Sequence, residues 1–317
     1  MRILATAAAL ALLLGIVLAR AEYRPAVLVL PLQAGAGLTP SEAAIGVGIQ
    51  VVLENMLAAQ GSLEETWAED AYSRLFRSAG DFRQWLRNAQ PTMPSLARVP
   101  ARYIARGMVG RQANQLFVTL VVQDRQTGRE ARNRIQPDFP ELKSLRQTLI
   151  GLLGSLGIPS LVRDASVLWD ENLSGECLNL LGAGVAIADA QFWPGAGDIS
   201  VPQPLIAAAA SCPKSYVAQA TLAWQQTQAD AEGNGADAGS AAMELNGRGV
   251  RAREWLLEAA FGVLKPDLAK KGADAIMAIR GHSAFDDGRF EYWMGRIAFI
   301  QSDFDEAERR LRESIRY

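Results

Sequence analysis

A nucleophile–base dyad in this chain would have to use its one histidine, His282, set in Arg280-Gly281-His282-Ser283. No GxSxG elbow precedes it, and a Gly-His-Ser context fits a turn between helices, so a surface or capping role is the favoured reading. The acidic pairs Asp286-Asp287 and Glu64-Glu65 are sequence neighbours. Neighbours do not face each other across a cleft, which makes them poor acid–base pairs and better read as solvated charges. Two cysteines, Cys177 and Cys212, with one histidine and no CxxC, do not compose a zinc site. In an oxidising compartment such a pair is expected to be joined, closing a loop that contributes roughly 3–4 kcal/mol. Two separate buried thiols are the alternative. Gly107, Gly110 and Gly128 belong to no GxxxxGK[ST] or GxGxxG at a strand-to-helix junction and read as hairpin punctuation. No catalytic, cofactor-binding or metal-ligating residue is therefore assigned, and the chemistry expected is binding.

The segment that would present a binding surface is the last, Phe290 to Tyr317, FEYWMGRIAFIQSDFDEAERRLRESIRY. Trp293, Met294, Ile297 and Ala298 lie at helical spacing, Gln301-Ser302-Asp303 breaks the run, and Phe304, Ala307, Leu311 and Ile315 form a second stripe. Two short helices, each apolar on one side, need a stacked neighbour. Trp293 shares the stripe of Ile297 and is read as core. Tyr292, Arg296 and Gln301 fall on the other side and are the candidate protein-binding groove. Glu306, Arg309, Arg310, Arg312 and Glu313 form a mixed charged face read as solubility and i,i+4 pairing. The unit resembles a tetratricopeptide repeat over 288–317. Gly295 stands at the small position of the first helix, Phe304 at the turn aromatic, Ala307 at the close crossing and Leu311 at the large apolar position, while Ala298 and Ser314 depart from the pattern. The resemblance implies a protein-binding helical array. Tyr317 coincides with the expected end of the last helix and no polar capping helix follows, which leaves open an end packed on a partner or a fragment of a longer chain.

At the other end, Arg2 is followed by the apolar run Ile3 to Leu18 and by Ala19-Arg20-Ala21, the layout of a cleavable secretory signal peptide over 1–21. The run is short of the ~20 residues that span a bilayer, and an uncleaved anchor is the alternative. Removing Arg2 and Arg20 takes the 32 basic residues to 30 against 34 acidic ones, a net charge of −4. So small a charge, without a concentrated basic surface, argues against nucleic acid. The expected location is the periplasm or outside the cell, with no integral membrane segment after cleavage.

Between these ends the sequence divides. Over 22–160, an apolar strand (Tyr23 to Leu32) leads to a helix capped at Thr39-Pro40-Ser41-Glu42 and running to about Gln60, with Ile45, Ile49, Val52, Leu53 and Met56 inward. A short strand is expected near Trp67, helices at 71–77 and 81–89, and a loop at 90–100. A strong hairpin pairs 101–109 with 115–123 around Gly110 to Asn114, with Leu116, Val118, Leu120 and Val122 on one face. A third strand at 130–136 and a helix over 140–156 (Leu145, Leu149, Leu152) complete an α+β domain, a mixed sheet with packed helices. Its pieces AVLVLPL (26–32), GVGIQVVLENML (46–57) and ARYIARGMVGRQANQLFVTLVVQDRQTGRE (101–130) resemble the amino-terminal domain of TolB and its relatives. Tyr103, Gly107, Leu116, Val118, Leu120, Asp124 and Gly128 fall at expected positions. This resemblance implies an α/β module used for protein contacts in the bacterial envelope, with no catalytic residue.

After a bridge at 160–170, residues 161–317 read as an all-α helical-repeat domain of two to three helix pairs. Leu178, Leu181, Val185 and Ile187 line the helix 176–190, and 229–240 reads as a flexible loop of small polar residues. The function expected is a non-catalytic adaptor or scaffold that binds other envelope proteins or peptides and can join a membrane-associated complex, needing no cofactor. The alternative is a small-molecule or peptidoglycan binding module acting through the α/β domain.

Overall fold

The computed structural model describes residues 26–35, 37–39, 42–58, 64–65, 75–87, 99–139, 142–158, 173–191, 193, 198–229, 232–247, 249–281 and 284–316. The signal segment 1–21, Trp67, most of 90–100, the 160–170 bridge and His282 lie outside the described residues.

A six-stranded mixed sheet forms from β1 (Ala26–Val29), β2 (Gln33–Ala34), β3 (Glu64–Glu65), β4 (Tyr103–Gln112), β5 (Gln115–Asp124) and β6 (Glu130–Ile135). Its order is β3-β1-β4-β5-β6, and β2 pairs with β4 as well. β1 and β2 run parallel to one edge of β4, at Val27↔Tyr103 and Gln33↔Met108. Pro31, which has no N–H to give a ladder, lies in the break between them. The parallel pairs require crossovers. The helix α1 (Ile45–Ala58) lies on the crossover from β1 to its parallel neighbour β3, and α2 (Ala79–Arg87) lies on the path from β3 to β4. The cap on α1 differs from the expectation. The Glu42 carboxylate does accept from the Thr39 N–H at 3.1 Å, but the α-helix begins only at Ile45.

The β4–β5 hairpin is tighter than the sequence implies. Its strands continue through Gln112 and Gln115, leaving Ala113 and Asn114 as a two-residue turn with φ of 48° and 62°. Positive φ at both central residues is the type I′ signature, whose twist matches the strands it joins. Gly107 and Gly110 are therefore inside β4, not punctuation. A Cβ at Gly107 would lie 2.1 Å from the Thr119 carbonyl oxygen across the ladder. Only Gly128, at φ 73°, sits in a turn. Asp124 fixes the open end of the hairpin by accepting from Arg102 Nη2 at 3.1 Å and from the Gln126 N–H at 2.9 Å. Burial pushes the Asp124 carboxyl up, but Arg102 and the Gln126 N–H overcome it and hold it below its ordinary value.

Alternation sets two faces. Tyr103, Ala105, Val109, Val118, Leu120 and Val122 meet α1 and α3 (Lys143–Ser155). On the reverse face Ile104 joins Leu28, Leu30, Phe82 and Trp85. α1 is covered on its far side too, by α4 (Gly175–Gln191). Backbones touch there. A Cβ at Gly48 would stand 2.2 Å from the Leu178 oxygen, and one at Gly182 1.9 Å from the Ala44 oxygen. One apolar core thus runs from the sheet through α1 into α4, α5 (Gln203–Ser211), α6 (Tyr216–Gln228) and α8 (Val250–Gly262). Cys177 and Cys212 are joined, tying the first turn of α4 to the residue after α5. Of the apolar residues of α4, Leu178, Leu181 and Val185 are buried and Ile187 is exposed.

The helices then pair as hairpins: α6 with α7 (Glu232–Leu245), α8 with α9 (Pro266–Arg280), and α10 (Ala284–Ile300) with α11 (Phe304–Ser314). The first helices begin at residues 216, 250 and 284, each 34 on from the last. Small buried residues recur in the second helices at the same interval: Gly239, Ala273 and Ala307. α7 corrects the flexible loop expected over 229–240. Its glycines and alanines allow close approach rather than looseness. Ala238 and Ala242 are buried, and a Cβ at Gly235 would meet Thr227 Oγ1 at 2.5 Å.

Candidate binding surfaces

The final hairpin starts from its caps. The Asp303 carboxylate accepts from the Glu306 N–H at 3.2 Å, while Ser302, at φ 63°, turns the chain between the helices. A Cβ at Gly295 would stand 2.8 Å from Leu311, so the crossing anticipated from Gly295 and Ala307 is indeed close. Trp293 and Ile297 are buried beside Phe261, Ala273 and Ile276. On the rest of the second stripe, only Ala307 is buried and Leu311 half-buried. Phe304 is 61% exposed and Ile315 84%. That is a correction to the expectation that the stripe faces a neighbour. Phe304 instead meets the equally exposed Phe299 edge-on, with ring centroids 5.7 Å apart.

Of the three expected groove residues, the structure brings two together. The Arg296 guanidinium lies 3.9 Å from the Phe261 ring centroid and 5.7 Å from that of the exposed Tyr292, and its Nη1 donates to Glu258 at 2.7 Å. Arg296 is therefore held against α8. Gln301 lies apart, exposed in the turn, where its N–H closes α10 on the Ile297 oxygen.

The mixed charged face of α11 is largely paired on itself. Arg309, then Arg310, donate to Glu306 and hold its carboxyl near 2. Arg310 also reaches Glu291 on α10 at 2.9 Å.

Beneath this surface lies a layer of charge that sequence reasoning missed. Asp286, read as solvated, is buried and accepts from Arg280 Nε at 2.6 Å, while Arg280 Nη1 donates to the Ala58 oxygen at the end of α1. Glu254 accepts from Arg289 at 2.7 Å and from Arg251 at 3.1 Å. Burial raises the Glu254 carboxyl, and Arg289 and Arg251 together outweigh it, leaving it below its ordinary value. The same layer borders a polar cavity of about 50 Å³ walled by Gln50, Asn55, Asp189, Trp224, Arg251 and Trp255. A signal for it existed in α1, where Gln50, Glu54 and Asn55 interrupt a helix that is otherwise apolar all round. Asn55 Nδ2 donates to the Val51 oxygen at 2.9 Å and Gln50 Nε2 to Glu54 at 2.8 Å.

Among the described residues no helix is long and apolar enough to cross a membrane. Comparison with protein-family models and with curated proteins finds no match for this chain.

Proposed function

We propose that the protein is a non-catalytic adaptor of the bacterial cell envelope, exported by the segment at 1–21 to the periplasm or beyond, which binds envelope proteins or peptides through its last helical hairpins. The α/β module is read as TolB-amino-domain-like and the hairpins as tetratricopeptide-like. The observation that carries this reading is the 34-residue recurrence of α6, α8 and α10, which is the period of a tetratricopeptide repeat. Such arrays serve as extended binding surfaces. The exposed aromatic ridge of Phe299 and Phe304 at the last hairpin adds to it, because aromatic side chains are enriched in interface cores. A partner bound there would belong to the same exported or membrane-associated assembly.

The test is a crosslinking pull-down from intact cells that compares the natural chain with the double variant Phe299→Glu, Phe304→Glu. The adaptor reading expects a defined set of envelope proteins with the natural chain and its loss with the variant, at unchanged thermal stability. Capture of the same set by both would remove the ridge from the binding surface and overturn the reading.

A further inference from the structure

The reverse face of the sheet carries a second kind of site. β4, β5 and β6 align Arg106, Val121 and Arg132 in one cross-strand row. The arginines thus flank a valine two strand spacings apart, roughly 10 Å, and all three line one pocket. That pocket has a volume of about 200 Å³, with Trp85, Met108 and Pro31 beside Val121 on its apolar side and Gln33 and Thr119 adding polar groups to the arginines. Arg106 Nη2 donates to Glu130 at 2.7 Å, so its charge is matched. The Arg132 side chain is exposed and makes no ion pair among the described residues. One cation is left over.

Two further donors point the same way. Among the described residues the Trp85 indole Nε1–H and the Arg106 Nε–H are buried without a hydrogen-bond partner, and Trp85 is only 9% exposed. A buried donor left unpaired is costly, and each unpaired group in a native structure calls for an explanation. Among the described residues that line this pocket, every unsatisfied group is a donor, so the missing partner is an acceptor. The charge left over is +1, so the acceptor is a monoanion. A planar guanidinium fork suits a carboxylate. The apolar wall suits a guest with a hydrocarbon body, and the volume, below the roughly 300–1,000 Å³ of pockets for drug-sized ligands, keeps that guest small.

We infer that this pocket is a binding site for a small organic carboxylate whose charged end lies between Arg132, Arg106 and Trp85. The site stands independently of the adaptor reading and gives the α/β module a ligand of its own. Neither N–H is open to water in this conformation, so the guest enters with a small displacement of the indole ring.

That displacement makes the Trp85 indole N–H the natural reporter. The experiment is an NMR titration of the natural chain with benzoate, with benzyl alcohol as neutral counterpart and inorganic phosphate as competing anion. The Trp85 resonance is identified by its loss in Trp85→Phe. Benzoate is expected to shift it saturably and benzyl alcohol to leave it in place. Arg132→Gln, at an exposed position, should weaken benzoate about tenfold or more, as for loss of a charged hydrogen bond. Glu130→Gln, which frees Arg106, should strengthen it. An unmoved resonance with millimolar benzoate, equal response to benzyl alcohol, or unchanged affinity in both variants would overturn the site. Displacement of benzoate by phosphate at lower concentration would overturn the carboxylate assignment.

Discussion

α1 and the final hairpin are the two segments whose apolar residues are easiest to see in the sequence, and they end in opposite situations. α1 is buried on nearly every side, between the sheet and α4. The final hairpin buries Trp293 and Ile297 against its neighbour and Ala307 at its own crossing, and leaves Phe299, Phe304 and Ile315 in solvent. A helix apolar all round must be a core helix, and α1 obeys that rule through glycines that let a second helix touch its backbone. A helix with two apolar edges has one to spare. The contrast separates a pillar that holds the molecule together from a surface available for contact, and substitutions at the two should behave differently.

The largest effect is expected at the pillar. Gly182→Val would drive a Cβ into the Ala44 carbonyl, where 1.9 Å is available. Backbone must move, so the loss should exceed about 4 kcal/mol, the range reserved for severe core disruption. Chemical denaturation or failure to recover folded protein reads it. Near-natural stability would show that α1 and α4 are not so closely packed.

Next comes Arg280→Ala, which takes the Arg280 guanidinium away from the buried Asp286 carboxylate and the donor away from the Ala58 oxygen. Breaking a buried pair on one side costs roughly 3–5 kcal/mol. Because Arg280 links α9 to the end of α1, hydrogen exchange should report the loss in both regions. A loss confined to α9 and α10 would show that the pillar and the array are uncoupled.

Acid should act on Glu254 in the same layer. Its carboxyl lies below the ordinary value of 4.5. The stability it contributes is therefore present above about that pH and is lost as pH falls through the lower folded value. Thermal unfolding should be flat from neutral to mildly acidic pH and decline below it, with a shallower decline in Glu254→Gln, which is also less stable at pH 7. An equally steep decline in that variant would place the acid sensitivity elsewhere. Glu306, held near 2 by Arg309 and Arg310, titrates in the same direction at the surface.

The smallest effect on folding is expected at the ridge. Phe304→Ser removes an exposed ring and should change stability by no more than about 0.5 kcal/mol. A loss of several times that would mean that Phe304 is structural, and the distinction between pillar and surface would fail at its other end.

Much of this division was legible in the residues. Ile45, Ile49, Val52, Leu53 and Met56 gave the inward face of α1, and Val118, Leu120 and Val122 gave that of β5, because burial on one face imposes a period. α6 spans the expected Tyr216 to Gln228. α7 was not legible, since Gly, Ala, Asp and Ser have the composition of a linker. What makes it a helix is contact with α6 and α8, a tertiary effect that propensity does not carry. Asp286 shows the same limit from the polar side: a carboxylate's burial depends on a partner, Arg280, that sequence spacing does not reveal. The 34-residue recurrence was present at Gly239, Ala273 and Ala307, but three small residues in an alanine-rich chain do not announce a repeat until helix boundaries align them.

The most direct test of the adaptor reading is photocrosslinking in intact cells from single positions on the array, with a photoreactive residue replacing Phe304, Tyr292 or, as an exposed control on α9, Lys270. The account predicts discrete adducts with the same envelope proteins from 304 and 292, and none from 270. No adducts at 304 and 292, or the same adducts from all three positions, would contradict it.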